Sequence, residues 1–261
     1  MGTRRLFVPV FVMLSGTAWL ALWLWEQSPY GRYLDHGRWT DIGIAGAICR
    51  AVPAGNLALP ALIYAGGWML MIAAMMLPTS LPLFRRFHRL THARPDRAWL
   101  IALLTAGYLL AWAGFGVVAH LLDAAVHVAA QQWSWLLANG WVFGAAVLAV
   151  AGLFQFSRLK YRCLDKCRTP VGFIVRHWRG PGPWRSAFGL GFYHGLFCVG
   201  CCWAVMLLMF VVGTANVGWM LALGAVMAIE KNARWGNRLS RPLGGALVAL
   251  AGLVAGANLL L

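Results

Sequence analysis

Acidic residues are scarce in this chain: Glu26, Asp35, Asp41, Asp96, Asp123, Asp165 and Glu230 are the only seven among 261 residues. Long polar stretches are missing as well, since 61% of the residues are hydrophobic and the mean hydropathy is +0.69. A soluble domain of this length cannot hide so much apolar surface, which excludes a cytosolic globular fold. No nucleotide-binding motif appears, so the chain carries no ATP-driven engine of its own. Nor is there a basic tail or an aromatic-basic patch outside the apolar runs, which sets nucleic acid aside as a partner despite a net charge of +15.

What is present is a series of apolar runs separated by basic loops. Seven candidate spans lie at about 6–25, 61–84, 98–121, 136–156, 187–212, 216–233 and 242–260, most of them near the roughly 20 residues that cross a hydrocarbon core. The expected fold class is therefore all-α: a polytopic integral membrane helical bundle, with residues 1–261 as a single multi-span domain. The N-terminus and the loops 85–97, 157–185 and 230–241 hold 19 of the 22 Lys and Arg residues, and the other side holds only Arg32, Arg38 and Arg50. By the positive-inside rule the N-terminus is expected on the cytoplasmic side of a plasma membrane. The first span, after Arg4 and Arg5, exceeds a normal signal-peptide core and shows no small-residue cleavage site, so it reads as an uncleaved anchor.

Residues 189–210 read GLGFYHGLFCVGCCWAVMLLMF and hold three of the six cysteines. At about 100° per residue, His194, Cys198, Cys201, Cys202 and Met209 share one helical sector of about 100°, with Met206 just beyond it. A lone buried cysteine is commonly an inert small hydrophobe. Three of them, with His one turn before and Met one and two turns after, point to a soft-metal stripe. Thiolate, thioether and imidazole select Cu(I), with zinc or another thiophilic metal behind it.

Other runs supply further donors. The second span contains Met69, Met71, Met75 and Met76, in which Met69 and Met76 share a face, and Pro78 is expected to kink its inner end. Spans five and six are separated only by Gly213, Thr214 and Ala215, so they pack as an antiparallel hairpin. Reflection about that turn sets Met209 beside Met220, Cys202 level with Met227, and Glu230 level with Cys198–Cys201. Glu230 is read either as a buried functional carboxylate or as half of an interfacial pair with Lys231. In the large basic loop Cys163 and Cys167 stand four apart among Arg162, Lys166 and Arg168, a reducible dithiol or a cytoplasmic metal hand-off point. His36 and Asp41 in the outer loop, and His120, Asp123 and His127 at the end of span three, are weaker candidates for an outer metal or proton contact.

The runs WMLMIAAMMLP (68–78), CLDKCRTP (163–170), HGLFCVGCCW (194–203) and Glu230-Lys231 together resemble the bacterial "predicted metal-binding integral membrane protein" family, over about residues 60–235. The resemblance implies metal binding at His194, Cys198, Cys201, Cys202 and Glu230. It departs at Ala215, where a methionine is expected. Taken together, the expectation is a membrane protein that binds Cu(I) at a mid-membrane site of His194, Cys198, Cys201, Cys202, Met206, Met209, Met227, Glu230, Met69 and Met76. Such a protein would translocate or deliver the ion with a metallochaperone or a periplasmic metal-binding partner, and no catalytic residue is assigned. A membrane thiol-disulfide oxidoreductase using Cys198 and Cys201 is the alternative, and a haem protein ligated by His194 is a third reading.

Overall fold

The computed structural model describes residues 3–27, 58–133, 135–136, 139–178, 182–212 and 216–260. His36, Asp41 and Cys49 lie outside the described residues, as do the Asp123 and His127 side chains and the turn 213–215. Among the described residues the secondary structure is helical throughout, without a strand. The helices are α1 (Thr3–Glu26), α2 (Ala58–Thr79), α3 (Leu81–Leu90), α4 (Arg97–Gln132), α5 (Trp141–Phe154), α6 (Arg158–Arg168), α7 (Pro170–His177), α8 (Pro183–Leu207), α9 (Met209–Val212), α10 (Val217–Asn232) and α11 (Ser240–Leu260).

Among the described residues four segments are long and apolar enough to cross a membrane: Pro9–Glu26, Arg97–Leu122, Pro183–Val211 and Gly236–Leu260. Two more qualify only as bent pairs, α2 with α3 at 70° and α5 with α6 at 64°. Among the described residues the expected count of seven is not confirmed. Helix α10, the expected sixth span, has 16 residues and so rises only about 24 Å, short of the roughly 30 Å core. Span two breaks near Pro78, where a kink is expected, and continues as the sharply tilted basic α3; span four is followed by a second tilted basic helix, α6, in the stretch expected as a loop. In α3 the residues Leu83, Phe84 and Phe87 are buried while Arg85, Arg86 and Arg89 face out, the i, i+3, i+4 pattern of an amphipathic helix.

The bend in α2 follows from Pro78. Proline has no N–H, so the Ala74 carbonyl four residues back loses its helical donor. Ser15 Oγ of α1 donates to that carbonyl at 3.3 Å, the kind of neighbouring hydroxyl that re-satisfies freed backbone in a membrane. Next, the Ser80 N–H turns to Leu77 O at 3.0 Å. The Met76 carbonyl is taken up instead by Thr79 Oγ1 (2.8 Å) and Tyr108 Oη (3.1 Å).

Helix α8 is the axis of the molecule. About two thirds of its apolar segment is buried, against 17% for the apolar segments of α1 and α11, so its neighbours and not lipid cover it. It can be central because glycines let it touch backbones. A Cβ on Gly191 would strike the Leu104 carbonyl of α4, and one on Gly107 would strike the Phe188 carbonyl of α8. This close crossing is the small-residue packing of membrane helices. A second such contact, Gly152 against Gly244, joins α5 to α11.

Candidate metal centre

The α8 cysteines sit in the interior: Cys198, Cys201 and Cys202 are 0–2% exposed. Their thiols turn back along the helix. Cys201 Sγ donates to Cys198 O at 3.1 Å and Cys202 Sγ to the same carbonyl at 2.8 Å, the backward bonding open to short polar side chains in a helix. The α2 bend then presents Met76, whose Sδ lies 3.8 Å from Cys202 Sγ. Tyr108, held by the Met76 carbonyl, brings its hydroxyl 3.0 Å from Cys198 Sγ. All five described cysteines are free thiols.

Adjacent residues of α10 serve different neighbours, because consecutive helical positions point about 100° apart. Glu230 turns toward α6 and α11. Its carboxylate accepts from Lys160 Nζ at 2.7 and 2.8 Å and from Ser240 Oγ at 2.7 Å, and Lys160 is also bonded to Gln155 Oε1. Arg168 caps the end of the same helix through the Glu230, Ala233 and Arg234 carbonyls. Lys231 turns toward the cysteines. Its Nζ lies 2.9 Å from Cys198 Sγ, 3.8 Å from Cys202 Sγ, 3.8 Å from Met76 Sδ and 3.2 Å from Thr79 Oγ1. The hairpin depth argument thus finds Lys231 beside Cys198, while the Glu230 carboxylate is occupied elsewhere. A sequence reading that took Lys231 as part of the basic loop missed it. The available signal was its place one residue beyond Glu230, on the face one turn below Met227.

The basic-loop dithiol lies against α8. Cys163 is buried, and a Cβ on Gly200 would come 2.7 Å from its Sγ, so the glycine makes room for the sulfur. Cys167, one turn on, has its Sγ 4.0 Å from Cys201 Sγ. Cys167 also lines an open cavity of about 470 Å³ with Arg86, Arg168, Thr169, Lys231 and Asn232. Beside that cavity the sulfurs thus pair as Cys167 with Cys201 and Cys202 with Met76, and Nζ of Lys231, a residue of the same cavity wall, touches Cys198 and Cys202.

The remaining candidates are spread more widely. His194 is 2% exposed, stacks on Tyr108 (5.9 Å between ring centres, 29°) and meets Phe173 edge-on, and its Nδ1 has no hydrogen-bond partner. Met206, Met209, Met220 and Met227 are all fully buried. Met69 is separated from Met76: it lines another cavity, of about 320 Å³, with Trp68, Gly116 and His120.

The donor set fits a soft cation better than a hard one. Among the described residues no three His, Cys, Asp or Glu side chains form a metal cage, which disfavours ions that need four such ligands. Paired sulfurs do occur, at 4.0 Å (Cys167 and Cys201) and 3.8 Å (Cys202 and Met76). With metal–sulfur bonds of about 2.3 Å, both members of such a pair reach one ion, and thiolate with thioether is the set that suits Cu(I). His194 Nδ1, without a hydrogen-bond partner among the described residues, is a further buried candidate donor.

No curated protein and no solved structure matches the chain. A family model does, over residues 65–254, and its description is copper chaperone. That stretch holds the bent α2, the Cys163–Cys167 pair, the α8 cysteines and Lys231, and it identifies the chain as a member of the PpoB2 copper chaperone family.

Proposed function

We propose that this protein accepts Cu(I) on the basic-loop face of a bacterial inner membrane and passes it along sulfurs into the membrane interior for delivery. The observation that carries the reading is the Cys167–Cys201 approach at 4.0 Å, with Cys167 on the wall of the open cavity and Cys201 buried. Cys167 receives the ion at the cavity and shares it with Cys201. Cys198, Cys202 and Met76 take it onward, and His194 with the buried methionines Met206, Met209 and Met227 supplies deeper donors. Low-coordinate sulfur sites suit passage, because each step exchanges one ligand and leaves the others in place. A soluble metallochaperone on the basic side and a metal-binding acceptor on the far side are the partners that such a path needs.

The test is metal content. Full-length protein purified after growth with copper is expected to retain about one Cu(I) per chain. Cys201→Ser with Cys202→Ser is expected to lose it, and Cys167→Ser to load slowly while keeping its capacity. Equal copper in wild type and the double variant would end the proposal.

A further inference from the structure

Lys231 is a buried cation with an unusual set of neighbours. Among the described residues its Nζ contacts are a hydroxyl (Thr79, 3.2 Å), a thioether (Met76, 3.8 Å) and two thiols (Cys198, 2.9 Å; Cys202, 3.8 Å), and none of them is a carboxylate. The neighbouring carboxylate, Glu230, is already matched to Lys160, whose side chain is fully buried. A buried ammonium needs a counter-charge, and of the groups in contact with Nζ those that can bear one are the two sulfurs. The molecule has thus built one fixed positive charge into the place where a metal would meet thiolates.

We propose that Lys231 sets the charge of the cargo, restricting the Cys198–Cys202 site to a monovalent soft cation. This rests on the reading of the cysteine stripe as a metal site. Two thiolates, one ammonium and one monovalent ion sum to zero, a state that a low-dielectric interior tolerates. A divalent ion in the same place leaves one net positive charge, next to an ammonium that repels it. Without the lysine the order reverses: the monovalent complex becomes an anion and the divalent complex neutral. The donor set favours Cu(I) but does not by itself shut out Zn(II), since thiolates bind both tightly. The fixed charge separates them. Lys231 is therefore a specificity-determining residue, acting through the charge of the site with no bond to the ion.

The experiment uses the purified full-length chain in detergent, with Ag(I) as a monovalent probe that does not change oxidation state, competed against Zn(II). Bound metal is read by elemental analysis. Wild type is expected to prefer Ag(I), and Lys231→Met to shift the Ag(I)-to-Zn(II) ratio toward zinc by about a hundredfold. Lys231→Arg, which keeps the charge, is expected to stay near wild type. Where Lys231→Met alone does not fold, Thr79→Lys with Lys231→Met returns an ammonium from α2 and is expected to restore the wild-type ratio. A folded Lys231→Met with the wild-type ratio, or a Thr79→Lys rescue with a zinc-preferring ratio, overturns the proposal. Failure of the underlying metal-site reading is seen separately, as a wild type that binds neither ion.

Discussion

Removing Lys160 should show that Glu230 is held for structure and not as a metal ligand. In Lys160→Met the buried carboxylate of Glu230 loses both of its ammonium contacts, at 2.7 and 2.8 Å, and keeps the Ser240 hydroxyl at 2.7 Å. At an effective dielectric of about 20, one pair of unit charges at that distance attracts by about 6 kcal/mol, partly offset by the cost of taking both charges out of water. Lys160 is fully buried and the Glu230 side chain is 3% exposed, so little solvent is at hand to take over. Breaking such a pair from one side costs about 3–5 kcal/mol, which lowers the melting temperature by about 10 °C for a chain of this size. Removing both partners, as Lys160→Met with Glu230→Leu, leaves no orphan charge and should recover most of the loss. The assay is thermal unfolding in detergent on the four members of the cycle, with copper content measured on each. A single variant within about 1 kcal/mol of wild type, or a double variant that unfolds like wild type but loses copper as the cysteine double variant does, would refute the assignment.

Gly191→Leu should separate α8 from α4, because its side chain has only the Leu104 carbonyl to enter. A loss of about 1–3 kcal/mol, together with loss of copper, is expected by thermal unfolding and metal analysis. Ser15→Ala should cost about 1–3 kcal/mol by orphaning the Ala74 carbonyl that Pro78 leaves open, and Pro78→Ala in the same chain should repair most of it. At the exposed basic edge, the Arg94 guanidinium at 2.8 Å, with a smaller contribution from Trp184 Nε1 at 3.2 Å, holds the Asp96 carboxyl below its ordinary 3.8. A depressed carboxyl stabilises the fold above its unfolded value. That contribution fades as pH falls from about 3.8 through the lower folded value, where Asp96 takes up its proton. Carboxyl-carbon NMR should find the Asp96 midpoint below 3.8, and Arg94→Ala should move it up toward that value.

Much of this arrangement was legible in the sequence, at the level where composition and periodicity decide. Apolar length marked α1, α4, α8 and α11, and the lack of an N–H at Pro78 foretold the break in α2. The 3.6-residue period placed the α8 cysteines on one face, and the short link after Val212 set α10 beside α8 in depth. What stayed hidden depends on direction, not on spacing. Glu230 read either as a buried functional carboxylate or as half of an interfacial pair with Lys231, yet each of the two finds a partner from a distant helix: Lys160 for one and Cys198 for the other. Met69 and Met76 share a face by arithmetic, but α2 has different neighbours two turns apart. Cys163 and Cys167 looked like loop residues because Lys and Arg surround them. The bend between α5 and α6 and the missing side chain of Gly200 bring them to α8.

The near-contact of backbones where Gly107 and Gly191 cross has a dynamic corollary. Two helices locked carbonyl to α-carbon cannot roll or slide past one another without first parting, so the α8 cysteines are held fixed relative to Tyr108 of α4. On the proposed path, an ion would move by rotation of thiol and thioether side chains about their own bonds, motions of picoseconds to nanoseconds where packing permits, and not by the slower rocking of one half of a bundle against the other. Transfer would then be set by ligand exchange at the sulfurs and by the partners at each end, leaving the scaffold still.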